Sequence, residues 1–525
     1  MRPLLTALTI ALAVAVPRAQ QHHSAELGSV NFPISCHAEA QARMSRAIAM
    51  LHSFWFPEAR KAFESVVAAD PGCGIAYWGV ALTHFGNPMA AGSGAEGQAA
   101  GWAAAQKAAS IGGRSDRDRA YIDAATALFQ DHATLNNRAR MARYEASMKA
   151  IVDRFPDDNE AKIFHAIFRV ANAPPTDLTF AQQKDAATIL TRLYREQPKH
   201  PGLAHYIIHA FDSPPLANLA LDAARQYAGI APAAPHALHM PSHIFTRLGH
   251  WDESIKTNRR SADLEPSPGG KSHPMDYMVY AYLQQGRDDA AMAVIKEIGG
   301  NVSGEYIGGT LGSYNALAMP ARYALERDDW KGAAALAVTS TSMSADAAVT
   351  HFAKGLGAAR SGDIALAKEQ TAALEKIVAA LTARKDPYWP VVIDAQRIAV
   401  SAWIAHAEGR HDEAMRLARE AADREELVEK HPVTPGPLLP ARELLGDILM
   451  VHNRPADALA AYEATLKREP NRTRTILGAA RAAKAAGRTD AAKAHYRSLI
   501  DVMDPKSPRP ELREAKAFVG PGLRP

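Results

Sequence analysis

The chain has 525 residues, more than one compact core accommodates, so several domains or a repeat array is expected. Its 60 basic and 56 acidic residues leave a formal net charge of +4, which gives no reason to expect nucleic acid or a charged membrane face as partner. Hydrophobic residues at 47% and charged residues at 22% are an ordinary balance, and abundant alanine with few β-branched runs favours helices.

The first element reads as a secretory leader. Met1-Arg2 gives a positive start, and the apolar run from Leu4 to Val16 is too short to span a bilayer. Small residues follow, with cleavage expected near Ala19 and no Cys there to carry a lipid. The expected mature product is periplasmic or secreted, with no transmembrane segment left after cleavage. Residues 20–37 form a lead-in, and cleavage after Ala19 would leave Gln-Gln-His at the end, with His22 and His23 in a copper- or nickel-chelating pattern. Cys36 precedes the first predicted helix and Cys73 opens the next helix pair. A helix going out and another coming back would return residue 73 to residue 36, so a disulfide is expected; the alternative is two separate buried thiols.

Further along, one template recurs: a turn near Gly, then Asp or Glu and Ala, then Pro after a second helix. It is found in Gly286-Arg287-Asp288-Asp289-Ala290, Gly409-Arg410-His411-Asp412-Glu413-Ala414 and Gly487-Arg488-Thr489-Asp490-Ala491. The clearest copy is Leu444-Leu445-Gly446-Asp447-Ile448-Leu449, followed by Pro455-Ala456-Asp457-Ala458, Tyr462 and Glu469-Pro470. Pro198 and Pro232, His205 and His239, His209 and His243, and Phe211 and Phe245 are each separated by 34 residues. The next unit is offset by 37, from Gly249 to Gly286. This pattern resembles the tetratricopeptide repeat family, whose period is about 34 residues. The resemblance implies an all-α, right-handed α-solenoid of stacked helix-turn-helix pairs whose first helices line a concave groove. Small residues such as Gly446 and Ala458 would let the helices approach closely. The expected division is an N-terminal array over 38–297 with a His-rich groove, a C-terminal array over 298–505 and a tail over 506–525. The segments 90–97 and 266–271 read as loops.

In that register His205 and His209 stripe one first helix, and His236, His239 and His243 stripe the next. With an offset of 37, His273, Asp276 and Tyr280 take the corresponding positions one unit later. Helices 8–10 Å apart would bring these imidazoles together. Three readings stay open: a transition-metal site for zinc, copper or iron; a polar groove with histidines as donors to a carboxylate or peptide; and structural histidines satisfying one another. Asp276 or Asp212 could add an oxygen ligand or orient an imidazole. Pro241 sits between His239 and His243 and is expected to bend its helix. Pro320 also lies near a helix, and Pro440 is expected to start one. His52 and His84 are further groove candidates, while His165 reads as structural.

Later in the array Arg322, Glu443, Asp447 and Arg481 fall on groove-type positions where they could clamp a polar ligand. No GxxxxGK[ST], GxGxxG after a strand, HExxH, GxSxG or CxxC motif is present, so no nucleophilic or nucleotide-dependent chemistry has local support. The leading expectation is an exported binding scaffold holding a peptide, protein segment or small polar ligand. The alternative is a metal-binding protein or metal-dependent enzyme centred on the five histidines 205, 209, 236, 239 and 243. A purely structural assembly factor is the third.

Overall fold

The structure is a computed structural model, and it describes residues 26–90, 92–298, 310–340 and 342–520. The expected leader, His22 and His23 lie outside them. Among the described residues all regular structure is helical, and successive helices pack side by side in pairs from Ala38–His52 to Thr489–Val502. No helix there is long and apolar enough to cross a membrane.

The turns carry the punctuation seen in the sequence. Gly249, Gly286, Gly409 and Gly487 all lie at positive φ between helices of a pair, where a β-carbon would be strained. Asn453 takes the same position with φ 54° in the copy that lacks the glycine. Close approach is equally visible. A β-carbon on Gly446 or on Gly478 would stand 2.6 Å from the Tyr462 ring, which wedges between their two helices.

Cys36 and Cys73 form a disulfide, with Cα atoms 5.4 Å apart. It ties the lead-in to the helix Gly74–Phe85, and buried Asp70 reinforces the junction. Asp70 accepts the His37 N–H and pairs with Arg114 at 2.7 Å; the Arg114 hydrogen bond holds its carboxyl down to about 2. The lead-in is packed rather than loose: Phe32 is fully buried, stacked on Trp78.

Three stretches differ from expectation. Residues 268–271 belong to the helix Pro268–Gln284, because Ser267 caps the Gly270 N–H and Pro268 suits a first helical turn. The tail contains the helix Pro510–Val519, which buries Leu512 and Ala515, while Arg509 pairs with Asp288 far away in sequence. Helix Ala95–Ile111 likewise shortens the expected loop at 90–97.

The two expected arrays meet through buried polar contacts. The segment 427–440 leaves the helix His411–Glu425 and crosses to the N-terminal half before the helix Ala441–Val451 begins, with Pro440 as its N-cap. Lys430 reaches Asp212 at 2.9 Å, and the Glu429 N–H points at the Pro175 carbonyl. Val433 to Gly436 are buried. Burying a loop normally strands backbone polar groups. Here prolines 432, 435, 437 and 440 have no N–H to strand, and arginine and tyrosine side chains take up exposed carbonyls. Arg322 donates to the carbonyls of Gly436 and Pro437, and Tyr277 donates to that of Thr434 at 3.0 Å.

Candidate metal centre

Three successive first-helix segments carry the imidazoles. His205 and His209 lie on Pro201–Phe211, His236 and His239 on Pro235–His239, His243 on Pro241–Arg247, and His273 on Pro268–Gln284. Pro241 lacks the N–H that would continue the ladder, so the second segment breaks at Met240 while both halves keep helical backbone angles. All five histidines singled out from the sequence come together, and His273 joins them.

They form two adjoining triads: His205, His209 and His236 in one, His239, His243 and His273 in the other. Within each, one ring nitrogen per residue lies within 4.8 Å of the others. Ring centroids of His209 and His243 are 6.1 Å apart and those of His236 and His239 5.9 Å, so the triads are continuous. His205, His209, His239 and His243 are buried, and burial, followed by neighbouring imidazoles for most of them, keeps all six neutral. His239 is pushed down to about 4, and the other five lie well below the ordinary 6.5.

Their hydrogen bonds dictate which nitrogen carries the proton. His205 donates from Nδ1 to the His52 carbonyl at 2.6 Å. His243 donates from Nδ1 to the Asp212 carboxylate at 2.8 Å. His239 donates from Nδ1 to Asn258 Oδ1 at 2.6 Å, and the Asn258 amide is fixed the right way round because its Nδ2 donates to the Ser254 carbonyl. Each therefore turns a bare Nε2 lone pair inward. Yet His239 Nε2 and His243 Nε2 stand 2.9 Å apart. Two neutral lone pairs at that distance repel, and no neutral tautomer repairs the contact without breaking a bond at Nδ1. An imidazolium would repair it, but Asp212, the one carboxylate in reach among the described residues, is already paired with Lys430 at 2.9 Å and Arg247 at 3.4 Å. A cation between the rings resolves it. Nitrogens sharing one metal at about 2.0–2.1 Å from each stand roughly 2.9–3.4 Å apart. His236 Nε2 and His205 Nε2, at 3.2 Å, have the same spacing. His209 is buried with no hydrogen-bond partner on either nitrogen, the condition expected of a ligand rather than of a structural histidine.

His52, Glu160 and His200 form a contrasting buried cluster. His52 Nε2 and His200 Nε2 sit 2.8 and 2.9 Å from the two oxygens of Glu160, so the carboxylate bridges the rings without a metal. His52 thus supports the centre through its carbonyl rather than facing a groove. His84 packs beside Arg60 and belongs to neither triad.

The offset of 37 needs correction. His273 lies 4.2 Å from His239 between ring centroids, and Tyr277 lies 5.0 Å from His243. Residues 205, 239 and 273, and 209, 243 and 277, therefore keep the 34-residue period. The three extra residues fall in the last turns of Pro268–Gln284, beyond the site. Asp276 and Tyr280 consequently do not take the places of ligands. Asp276 and Arg322 form a fully buried ion pair at 2.9 Å, and Tyr280 contacts Arg472. The other expected clamp residues are also engaged internally. Glu443 pairs with Arg472 and Arg474, Asp447 with Arg360 at 2.9 Å and with Arg474, and the half-exposed Arg481 with Glu514.

Sequence reasoning missed Asn258, Tyr277 and Lys430. Tyr277 carried a signal, the unbroken 34-residue step. Asn258 sits on a second helix and Lys430 on the crossing segment, and neither has a periodic position in this site. A cavity of about 450 Å³ opens beside the first triad, lined by His209, Asp212, Lys430, His431, Tyr388 and Trp389. The chain matches no protein-family model and no curated protein.

Proposed function

We propose that the chain is an exported, right-handed solenoid of tetratricopeptide type whose interior holds at least one first-row transition metal ion on histidine Nε2 atoms, with a small polar ligand or substrate reaching the metal from the adjoining cavity. The observation carrying this reading is the pair of inward lone pairs on His239 and His243, 2.9 Å apart with both Nδ1 protons committed elsewhere. An all-imidazole set without thiolate suits zinc, copper or iron(II). A disulfide and the leader-like first residues support export. The binding-scaffold reading keeps its place in a narrower form. Segment 427–440 fills the inner wall beside the centre, so the cavity suits a small ligand better than a peptide.

Supplied with a metal, three imidazoles and an open position would polarise a bound oxygen or acidify a bound water. The test is metal content by mass spectrometry after expression in supplemented medium. Wild type should hold at least one equivalent, and His239→Ala/His243→Ala should lose it while keeping its helical circular dichroism. Equal metal in both proteins, or none in either after reconstitution, would end the proposal.

A further inference from the structure

A second group of three histidines lies outside that centre and shares no residue with it. His406 is in the last turn of the helix Trp389–Ala407, His411 begins the helix His411–Glu425, and His452 caps the helix Ala441–Val451. They come from two consecutive helix pairs, and the same turn chemistry holds both. After the first helix, Gly409 donates its N–H to the His406 carbonyl and Arg410 to that of Ala405. After the next, Asn453 donates to Met450 and Arg454 to Leu449. Both are the paired 5→2 and 6→1 closures of a Schellman motif, completed by positive φ at Gly409 and Asn453. Two identical closures set two helix ends side by side on one rim, and the short turn after Gly409 returns His411 to the same place.

His406 Nδ1 and His452 Nε2 are 3.2 Å apart, and a nitrogen of His411 lies within 4.8 Å of both. Ring centroids are 5.0 Å apart for His406 and His452, 4.8 Å for His411 and His452, and 5.9 Å for His406 and His411. His411 is exposed and the other two are half-buried. The arrangement thus offers three nitrogens on one side and solvent on the other. Buried Trp403 stands edge-on to His406 at 5.6 Å.

We infer that His406, His411 and His452 form a separate rim site for a divalent cation that favours imidazole, Cu²⁺, Ni²⁺ or Zn²⁺, with water in its remaining positions. Nitrogens 3.2 Å apart already have the spacing of two ligands on one ion. His411 needs only a side-chain rotation to close the set, and its exposed position leaves it free to make one. The solvent side makes this site exchangeable, unlike the buried centre.

The experiment is calorimetric titration of the full chain with Zn²⁺, and quenching of tryptophan emission by Cu²⁺. His411→Ala should weaken one class of site at least tenfold, and His406→Ala/His452→Ala should abolish it. His239→Ala/His243→Ala should leave that class intact, so failure of the buried centre and failure of the rim site are read separately. A part of the Cu²⁺ quenching should disappear in Trp403→Phe and equally in His411→Ala. The histidine substitutions on this rim should leave the melting temperature of the metal-free protein unchanged, whereas Trp403→Phe, at a buried position, should lower it. Unchanged stoichiometry and affinity in the 406/452 variant, or quenching indifferent to residues 403 and 411, would overturn the assignment.

Discussion

At the scale of single residues the site rests on acceptors that hold Nδ1 protons. Asp212 is the charged one, and it receives His243, Lys430 and Arg247 together. Removing its charge weakens the hold on the imidazole and lowers the basicity of Nε2. Asp212→Asn is expected to reduce metal affinity roughly 10–100-fold. Competition against a chromophoric chelator measures this, and an unchanged constant would show that Asp212 serves Lys430 and Arg247 alone. Glu425 offers a pH test remote from the metal. It accepts the Ala441 N–H at 2.7 Å, and burial raises its carboxyl from the ordinary 4.5 to about 7. Between those values the native state keeps a proton that the unfolded chain releases. Stability from this group is therefore fully present below pH 4.5 and lost as pH rises through 7. Glu425→Gln should stabilise the protein at pH 8 by about 1–2 kcal/mol, less than the whole shift implies because the side chain is only half-buried. Urea unfolding at pH 8 and pH 4 checks the sign, since the gain must vanish at the lower pH.

At the scale of elements, the Cys36–Cys73 bond closes a span of 37 residues around the first helix pair. Cys36→Ser/Cys73→Ser should cost about 2–4 kcal/mol through the freedom restored to the unfolded chain. Chemical denaturation would show this as a lower midpoint. The metal content of the buried centre should be unaffected, since no residue of it touches the disulfide. The same scale shows what could be read in advance. The helix pairs, their turns and five of the six imidazoles were legible because stacking repeats imposes one period on side chains that share a wall. The 34-residue step from His205 to His239 carried that information, and it extended to His273 and Tyr277. It was obscured by the three residues added beyond the site, which displaced the Gly286 landmark used to set the register. The expected clamp of Arg322, Glu443 and Asp447 failed for a different reason. Periodicity assigns a side chain to a wall but does not say whether that wall faces ligand or another part of the same chain. A long connection without helical period, residues 427–440, decides that, and its four prolines read as a loop without revealing where it would lie.

At the scale of the whole molecule, that connection lies against the inner surface of the helix stack and is held there by side chains on both sides of it. Arg322 holds the backbone of Gly436 and Pro437, Tyr277 holds that of Thr434, and Lys430 anchors the near end on Asp212. Tyr277 also lies beside His243, so one phenol links the segment to the centre. If metal leaves past this segment, its rate of release depends on how often the segment lifts, and each anchoring bond adds to that barrier. A neutral hydrogen bond contributes on the order of 1 kcal/mol, so Tyr277→Phe should speed release roughly fivefold while changing equilibrium affinity much less. Stopped-flow stripping of metal-loaded protein by excess chelator reads that rate directly. Tyr496→Phe removes a comparable hydroxyl that bonds Glu514 near the C-terminal helix, and it should leave the rate unchanged. Equal rates for all three proteins would mean that the ion leaves by another path, through the cavity beside His209, and that the crossing segment holds the fold together without controlling access to the histidines.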